Sequence, residues 1–253
     1  MKKFLTFVSI VTSFGIVPVF AQLGMGGSGQ GPHFDGAMNK LYGDNKSFSA
    51  LLEFQTTGNG SNTVTMPGTF TFDNGKSRFE LNISDVHGSM ISPAAAQQMT
   101  AMGVGTTIAI SRPDLKMTYL VYPGLNSYAQ VPAQDASGSV NVDDFKMETA
   151  DQGKETLDGH DCVIKKATVT DKDGNKHEFT VWNATDLKNF PVKVVTNDGG
   201  RPATMSYKNV TFSKPAASLF EPPTGFTKYD DLQTMMQTEI MKKMGGGGAP
   251  APH

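Results

Sequence analysis

Residues 63–84 read TVTMPGTFTFDNGKSRFELNIS, and the alternation in this stretch decides the fold class. Phe79, Leu81 and Ile83 point one way; Arg78, Glu80 and Asn82 point the other. That is the period-two pattern of a half-buried antiparallel strand. Asp73-Asn74-Gly75 ahead of it is a tight-turn signal, because Asn and Gly accept the left-handed backbone that a two-residue hairpin requires. Before the turn, Phe70 and Phe72 share a face. Residues 63–72 and 76–84 therefore read as a β-hairpin with one apolar side.

The same vocabulary recurs along the chain. Strands are expected at 48–57 (FSALLEFQTT), 106–111 (TTIAIS), 116–122 (KMTYLVY), 125–132 (LNSYAQVP), 162–170, 176–182, 192–197 and 203–212. Pro123-Gly124, Asp171-Lys172-Asp173-Gly174 and Asp198-Gly199-Gly200 supply turns between them. Residues 133–152 are small and polar and read as a loop with a short ordered piece near Phe145. Two helices stand out. Residues 93–102 have Ser92 as cap and Pro93 at the first helical position. Residues 230–244 carry Asp230 and Asp231 at the positive end and Lys242 and Lys243 at the negative end. Leu232, Met235, Met236, Ile240 and Met244 give that second helix an apolar stripe.

About ten strands in succession, joined by tight turns, imply an α+β chain that is mainly antiparallel β. A sheet of that size must curl, because strand twist accumulates. The expected architecture is a curved half-barrel of about ten or eleven strands, with a few helices covering its concave apolar face. That shape makes a natural hydrophobic cavity.

The chain ends read differently. MKKFLTFVSIVTSFGIVPVFA, residues 1–21, has Lys2 and Lys3, then an apolar run, then Val19-Phe20-Ala21 at a cleavage-like position. This is the pattern of a secretory signal peptide. Gln22 follows in place of a lipid-attachment cysteine. Residues 22–39 and 245–253 are glycine-rich and read as flexible, leaving residues 40–244 as a single domain. Export, with the periplasm as destination, is the expectation. No later stretch approaches the ~20 apolar residues of a membrane-spanning helix. The formal net charge of −2 becomes more negative without Lys2 and Lys3, which argues against nucleic acid as a partner. One cysteine cannot form an internal disulfide, so a hydrophobic core must hold the fold.

The densest chemistry lies in TLDGHDCVIKK, residues 156–166, with Asp158, His160, Asp161 and Cys162. A cysteine nucleophile needs a base within reach and a lowered pKa, and zinc needs about four ligands. His-x-Cys alone supplies neither. An Asp-Gly turn feeding a strand with a buried thiol is the simpler reading. Asp171 to Asn175 hints at a calcium loop, but its glycine falls at position four rather than six. Met235, Met236, Met241 and Met244 suggest soft-metal ligation, yet packing and an adaptable apolar surface explain them first. Gly24 to Gly29 match a dinucleotide motif without the preceding strand it requires. No catalytic residue, metal or cofactor is expected.

Four segments carry a resemblance: SRPDLKMTYLVYPGLNSYAQVP (111–132), KETLDGHDCVIKKATV (154–169), VWNATDLKNFPVKVV (181–195) and SLFEPPTGFTKY (218–229). Together with the strand order, they resemble exported proteins of unknown function in the superfamily of the lipoprotein carriers LolA and LolB and the stress sensor RseB. The resemblance covers roughly residues 40–230 and implies a half-barrel closed by helices over an apolar cavity. It implies a non-enzymatic protein that shelters an acyl chain, a lipid or a lipidated peptide, with a lipoprotein or an envelope protein as partner. The alternative is a stress sensor or protein-interaction module on the same fold. The wall residues expected from the apolar strand faces are Phe54, Phe70, Phe72, Phe79, Leu81, Ile83, Met117 and Tyr119. Met99 and Met102 are expected on the helix that covers them.

Overall fold

The computed structural model describes residues 36–57, 63–88, 91–132, 144–197 and 202–245. The expected leader, most of the glycine-rich segment and the tail from 246 lie outside the described residues.

The central meander is β1 (Ser47–Thr57), β2 (Thr63–Asp73) and β3 (Lys76–Asn82). In the hairpin, Phe70 stands opposite Phe79 and Phe72 opposite Ser77. Asn74 and Gly75 turn it at φ values of 50° and 89°. β4 (Thr106–Arg112), β5 (Met117–Tyr122) and β6 (Ser127–Pro132) continue outward. The chain then crosses to the far edge and returns through β7 (Lys146–Leu157), β8 (His160–Thr170), β9 (Lys176–Ala184), β10 (Phe190–Thr196) and β11 (Ala203–Thr211). β11 pairs antiparallel with β1, so the two meanders fuse. β12 (Thr227–Tyr229) adds a short parallel strand beside β6. The result is one open twelve-stranded half-barrel sheet, with β12 and β7 as its edges. This is the mainly antiparallel α+β class expected.

Three details depart from the sequence reading. Residues 146–152, assigned to a loop, belong to β7, whose residues are exposed on both faces except for half-buried Leu157. With no apolar side there is no alternation to detect; the ladder with β8 alone holds the strand. β12 was not expected, since three residues carry no period. Residues 36–39, assigned to the flexible segment, belong to helix α1 (Gly36–Leu41). Its Ala37, Met38 and Leu41 are buried, as is the following Tyr42.

The other helices are α2 (Pro93–Ala101), capped by the Ser92 hydroxyl on the Ala95 N–H, and α3 (Leu232–Gly245), capped by Asp231 on the Thr234 N–H at 2.7 Å. Met235, Met236 and Ile240 of α3 are buried, whereas Met244 and Met241 are exposed. The stripe therefore ends a turn earlier than its spacing suggests. Glu239 takes a buried place beside it.

The two sides of the sheet differ in kind. The inner side carries one continuous core that includes residues of all three helices. The outer side is mostly polar over β1 to β3, with Leu51 exposed, and carries a smaller cluster over β4 and β5: Ile108, Ile110, Tyr119 and Val121, capped by Phe220. Phe220 is 1% exposed. Its segment is pinned by Arg112, whose guanidinium donates to the Phe220 carbonyl and to the Glu221 and Asp114 carboxylates. These two carboxylates keep the Arg112 guanidinium firmly protonated.

Candidate functional site

The inner face is the candidate site. Cross-strand pairing lays it out in rows, because directly opposed residues in an antiparallel ladder point to the same side. At one end lies an aromatic floor. Tyr42 sits 4.9 Å from Phe48 and 4.9 Å from Phe72, ring centre to ring centre. Phe190 lies 4.7 Å from Phe48 and 5.6 Å from Tyr207. The Tyr42 and Tyr207 hydroxyls meet at 2.8 Å, which satisfies both inside the core. Burial pushes the Tyr207 hydroxyl pKa far above its usual range. Rings in edge and tilted contact fill this end with side chains.

Towards the other end the wall changes to aliphatic and thioether groups. Phe54 of β1 faces Met66 of β2 on one side and Met205 of β11 on the other. Met205 faces Val194, and Val194 faces Val181. Met99 of α2 is buried in the same cluster, and Met102, Val64, Val86 and Ile91 pack half-buried against it. Gly68 allows the Phe79 ring to lie across β2: a Cβ there would fall on the Glu80 carbonyl oxygen and 2.5 Å from Phe79 Cε2.

Of the residues expected to form the wall, Phe54, Phe70, Phe72, Phe79, Leu81 and Ile83 all belong to the inner cluster, with Met99 and, at its margin, Met102. Tyr119 and Met117 do not. Tyr119 stands opposite Ile110 and Met117 opposite Arg112, so both lie on the outer side. The apolar alternation of residues 116–122 fits either face. The strap around Phe220 supplies an apolar cover on the outside that local pattern does not reveal. Leu120 and Tyr122 hold the inner positions instead. Met66, Val181, Val194 and Met205 were missed, although the alternation of Ala203, Met205 and Tyr207 pointed to Met205.

The reactive cluster separates. The His160 ring pairs with Asp186 at 2.7 Å, while the buried Cys162 thiol donates to the His160 carbonyl, at 3.5 Å. Cys162 is 2% exposed, and burial pushes its thiol pKa up, helped by Asp186, Glu155 and Asp161. A nucleophilic cysteine needs the opposite shift. Asp171 closes its own turn, accepting the N–H groups of Asp173 and Asn175 and the Asn175 amide. Both its oxygens are engaged within the hairpin. Among the described residues, no three of His, Cys, Asp and Glu gather as a metal site.

A carboxylate is also buried where α3 meets the sheet. Glu239 of α3 accepts from the Tyr229 hydroxyl and, at 2.8 Å, from Lys242. Burial pushes its carboxyl pKa up, but hydrogen bonds from Lys242, Tyr229 and Ser127 outweigh it and hold the carboxyl below its usual range. The network fastens α3 to β6 and β12. No helix of the described residues is long and apolar enough to cross a membrane.

No family model and no curated protein matches the chain. Solved structures do. A LolA superfamily protein from Nitrosomonas europaea is 10% identical with a TM-score of 0.38, over 74% of this chain and 96% of that one. The lipoprotein LppX from Mycobacterium tuberculosis is 11% identical with a TM-score of 0.39, over 71% and 93%. A DUF1329 family protein from Desulfovibrio piger is 14% identical with a TM-score of 0.35, over 74% and 95%.

Proposed function

We propose that this is an exported, periplasmic, non-enzymatic protein that binds a hydrophobic group (an acyl chain, a lipid or a lipidated peptide) on the inner face of its half-barrel. One observation carries the reading. Leaving out β7, which has no apolar side, and the three-residue β12, ten strands spaced about 4.8 Å apart span an arc of roughly 43 Å. Three helices about 10 Å wide cover roughly 30 Å of it. An apolar face wider than its covering helices is suited to receive a further apolar body. Affinity would come from buried methylenes, at about 0.8 kcal/mol each. Phe54, Phe79, Leu81, Met66 and Met205 line the part of the face away from the aromatic floor, with Met99 and Met102 above it. Thioethers there suit ligands of varied shape. Phe54, Met66 and Met205 are buried in this structure, so entry requires the covering elements to part.

Native mass spectrometry of protein purified from its own envelope tests the reading. A bound lipid mass is expected, together with saturable uptake of a fluorescent fatty acid. A clean apo mass and no uptake refute it. A second reading, an interaction module for an envelope protein, is favoured by β7, whose twelve residues form an exposed sheet edge. Such an edge offers unpaired backbone groups to a partner strand. Crosslinking that returns a stoichiometric protein and no lipid selects it.

A further inference from the structure

The inner face has one row in which its apolar character meets a charge. Lys165 of β8 stands directly opposite Val181 of β9. Val181 stands opposite Val194, Val194 opposite Met205, Met205 opposite Phe54, and Phe54 opposite Met66. The row thus runs from a lysine across five apolar side chains, over roughly 24 Å of arc at the usual strand spacing. Val181, Val194, Met205, Phe54 and Met66 are all core residues. Lys165 is half-buried there, whereas Lys154, opposite Val163 on the edge strand β7, shares that face but is exposed. Arg78, Arg112 and Lys193 project outward: Arg78 stands opposite Thr71, Arg112 opposite Met117, and Lys193 packs on the outer side of Trp182.

The neighbours of Lys165 leave its charge available. On β7 its partner in the ladder is Asp151. Lys165 Nζ lies 3.9 Å from Asp151 Oδ1, with the two side chains 34% and 75% exposed. That is the outer limit of an ion pair, held by a carboxylate that water solvates well, and such a contact contributes little. Ala167, on the same face of β8, is buried. The lysine stem therefore lies along the apolar wall while its ammonium reaches the sheet margin, as long cationic side chains do at apolar–aqueous boundaries.

We propose that Lys165 receives the anionic headgroup of a single-chain amphiphile, a carboxylate or a phosphate, whose apolar chain lies along the row Val181, Val194, Met205 and Phe54. This rests on the ligand-binding reading above and narrows its substrate class from any hydrophobic group to anionic amphiphiles. Asp151 acts as the stand-in counter-ion. It swings into solvent when the headgroup arrives, and its charge opposes binding.

Displacement of the neutral fluorophore N-phenylnaphthylamine from the purified protein tests this, with dodecanoate, dodecyl phosphate and dodecan-1-ol as competitors of equal chain length. The two anions are expected to compete at concentrations about ten-fold lower than the alcohol, the scale of one charge-assisted hydrogen bond. Whichever anion is stronger identifies the headgroup. Lys165→Met should abolish the preference and leave the alcohol's affinity unchanged, which also shows that the variant is folded. Lys165→Arg should keep the preference, and Asp151→Asn should enlarge it. Equal competition by all three competitors, or a preference that survives Lys165→Met, overturns the inference while leaving ligand binding intact. If neither the fluorophore nor any competitor binds, both the inference and the reading beneath it fall.

Discussion

Replacing Phe220 by alanine tests the claim that the strap on the outer side holds the sheet as firmly as the inner core does. The ring is 1% exposed and covers Ile108, Ile110, Tyr119 and Val121, none of them more than 8% exposed. Truncation removes the buried ring and uncovers four large side chains at once. Burial of this kind places Phe220→Ala at about 3–4 kcal/mol. For a chain of this size that corresponds to a fall in Tm of roughly 6–16 °C. Thermal melts by far-UV circular dichroism and by fluorescence of the single Trp182 give the number, and coincidence of the two curves establishes two-state behaviour. Leu219→Ala is the control: Leu219 is 38% exposed and should cost no more than about 0.5 kcal/mol. Arg112→Met should cost about 1–3 kcal/mol, because the Phe220 carbonyl loses its buried donor. The double variant should cost less than the sum, since both changes release the same strap. A loss below about 1 kcal/mol for Phe220→Ala, or equal losses for Phe220 and Leu219, refutes the reasoning.

Gly68→Ala should destabilise by more than the about 0.4–1 kcal/mol by which glycine-to-alanine stabilises a compatible site, because the Cβ meets the Glu80 carbonyl and the Phe79 ring; chemical unfolding measures it, and a neutral result would show that β3 yields freely. The Cys162 thiol should be inert to a thiol reagent in the native protein and react fully in denaturant, given its burial and raised pKa; equal rates would return His160 and Cys162 to consideration as a reactive pair. Glu239 has a depressed carboxyl pKa among Tyr229, Lys242 and Ser127. Its contribution is thus fully present above the ordinary glutamate range and is lost as the pH falls through the lower folded value. Glu239→Gln should remove that part of the acid dependence, and unchanged pH profiles of Tm in the two proteins would contradict the network.

Legibility followed local period. The hairpin at 63–84 could be read because Phe79, Leu81 and Arg78 are sorted by a face that is buried on one side only. β7 was invisible because Lys146 to Thr156 is solvated on both faces, so its strand state is decided by pairing with β8 and not by its own residues. α1 was hidden by its glycine-rich neighbourhood. Gly36 reads as part of a flexible run, yet the Phe145 ring, more than a hundred residues away, packs against its backbone. For the candidate site, alternation identified which side chains are sorted together but not which of two apolar sides they join. On β2 and β3 the outer side is polar and the assignment to the inner face holds. On β4 and β5 both sides are covered, and Met117 and Tyr119 fell on the wrong one.

That ambiguity bears on what the most recognisable segments can mean. Phe220 and Glu221 of SLFEPPTGFTKY fasten the outer strap to Arg112. In VWNATDLKNFPVKVV, Trp182 donates to Glu155 across β8 and carries Lys193 against its ring, 4.4 Å from the centre, which ties β7, β9 and β10 together on the outside. In TLDGHDCVIKK, the His160–Asp186 pair and the buried thiol secure the turn into β8. Each of these segments is distinctive because it solves a structural problem particular to a half-barrel: covering an outer patch, stapling an exposed edge, closing a hairpin. A match in them transmits the architecture and carries no information about the ligand. On the proposed reading, residues that distinguish one ligand from another line the inner face, where side chains such as Met66, Met205 and Lys165 make no distinctive sequence pattern. Function on this fold is therefore to be sought by varying inner-face residues one at a time and measuring binding, with the outer segments left untouched as the frame.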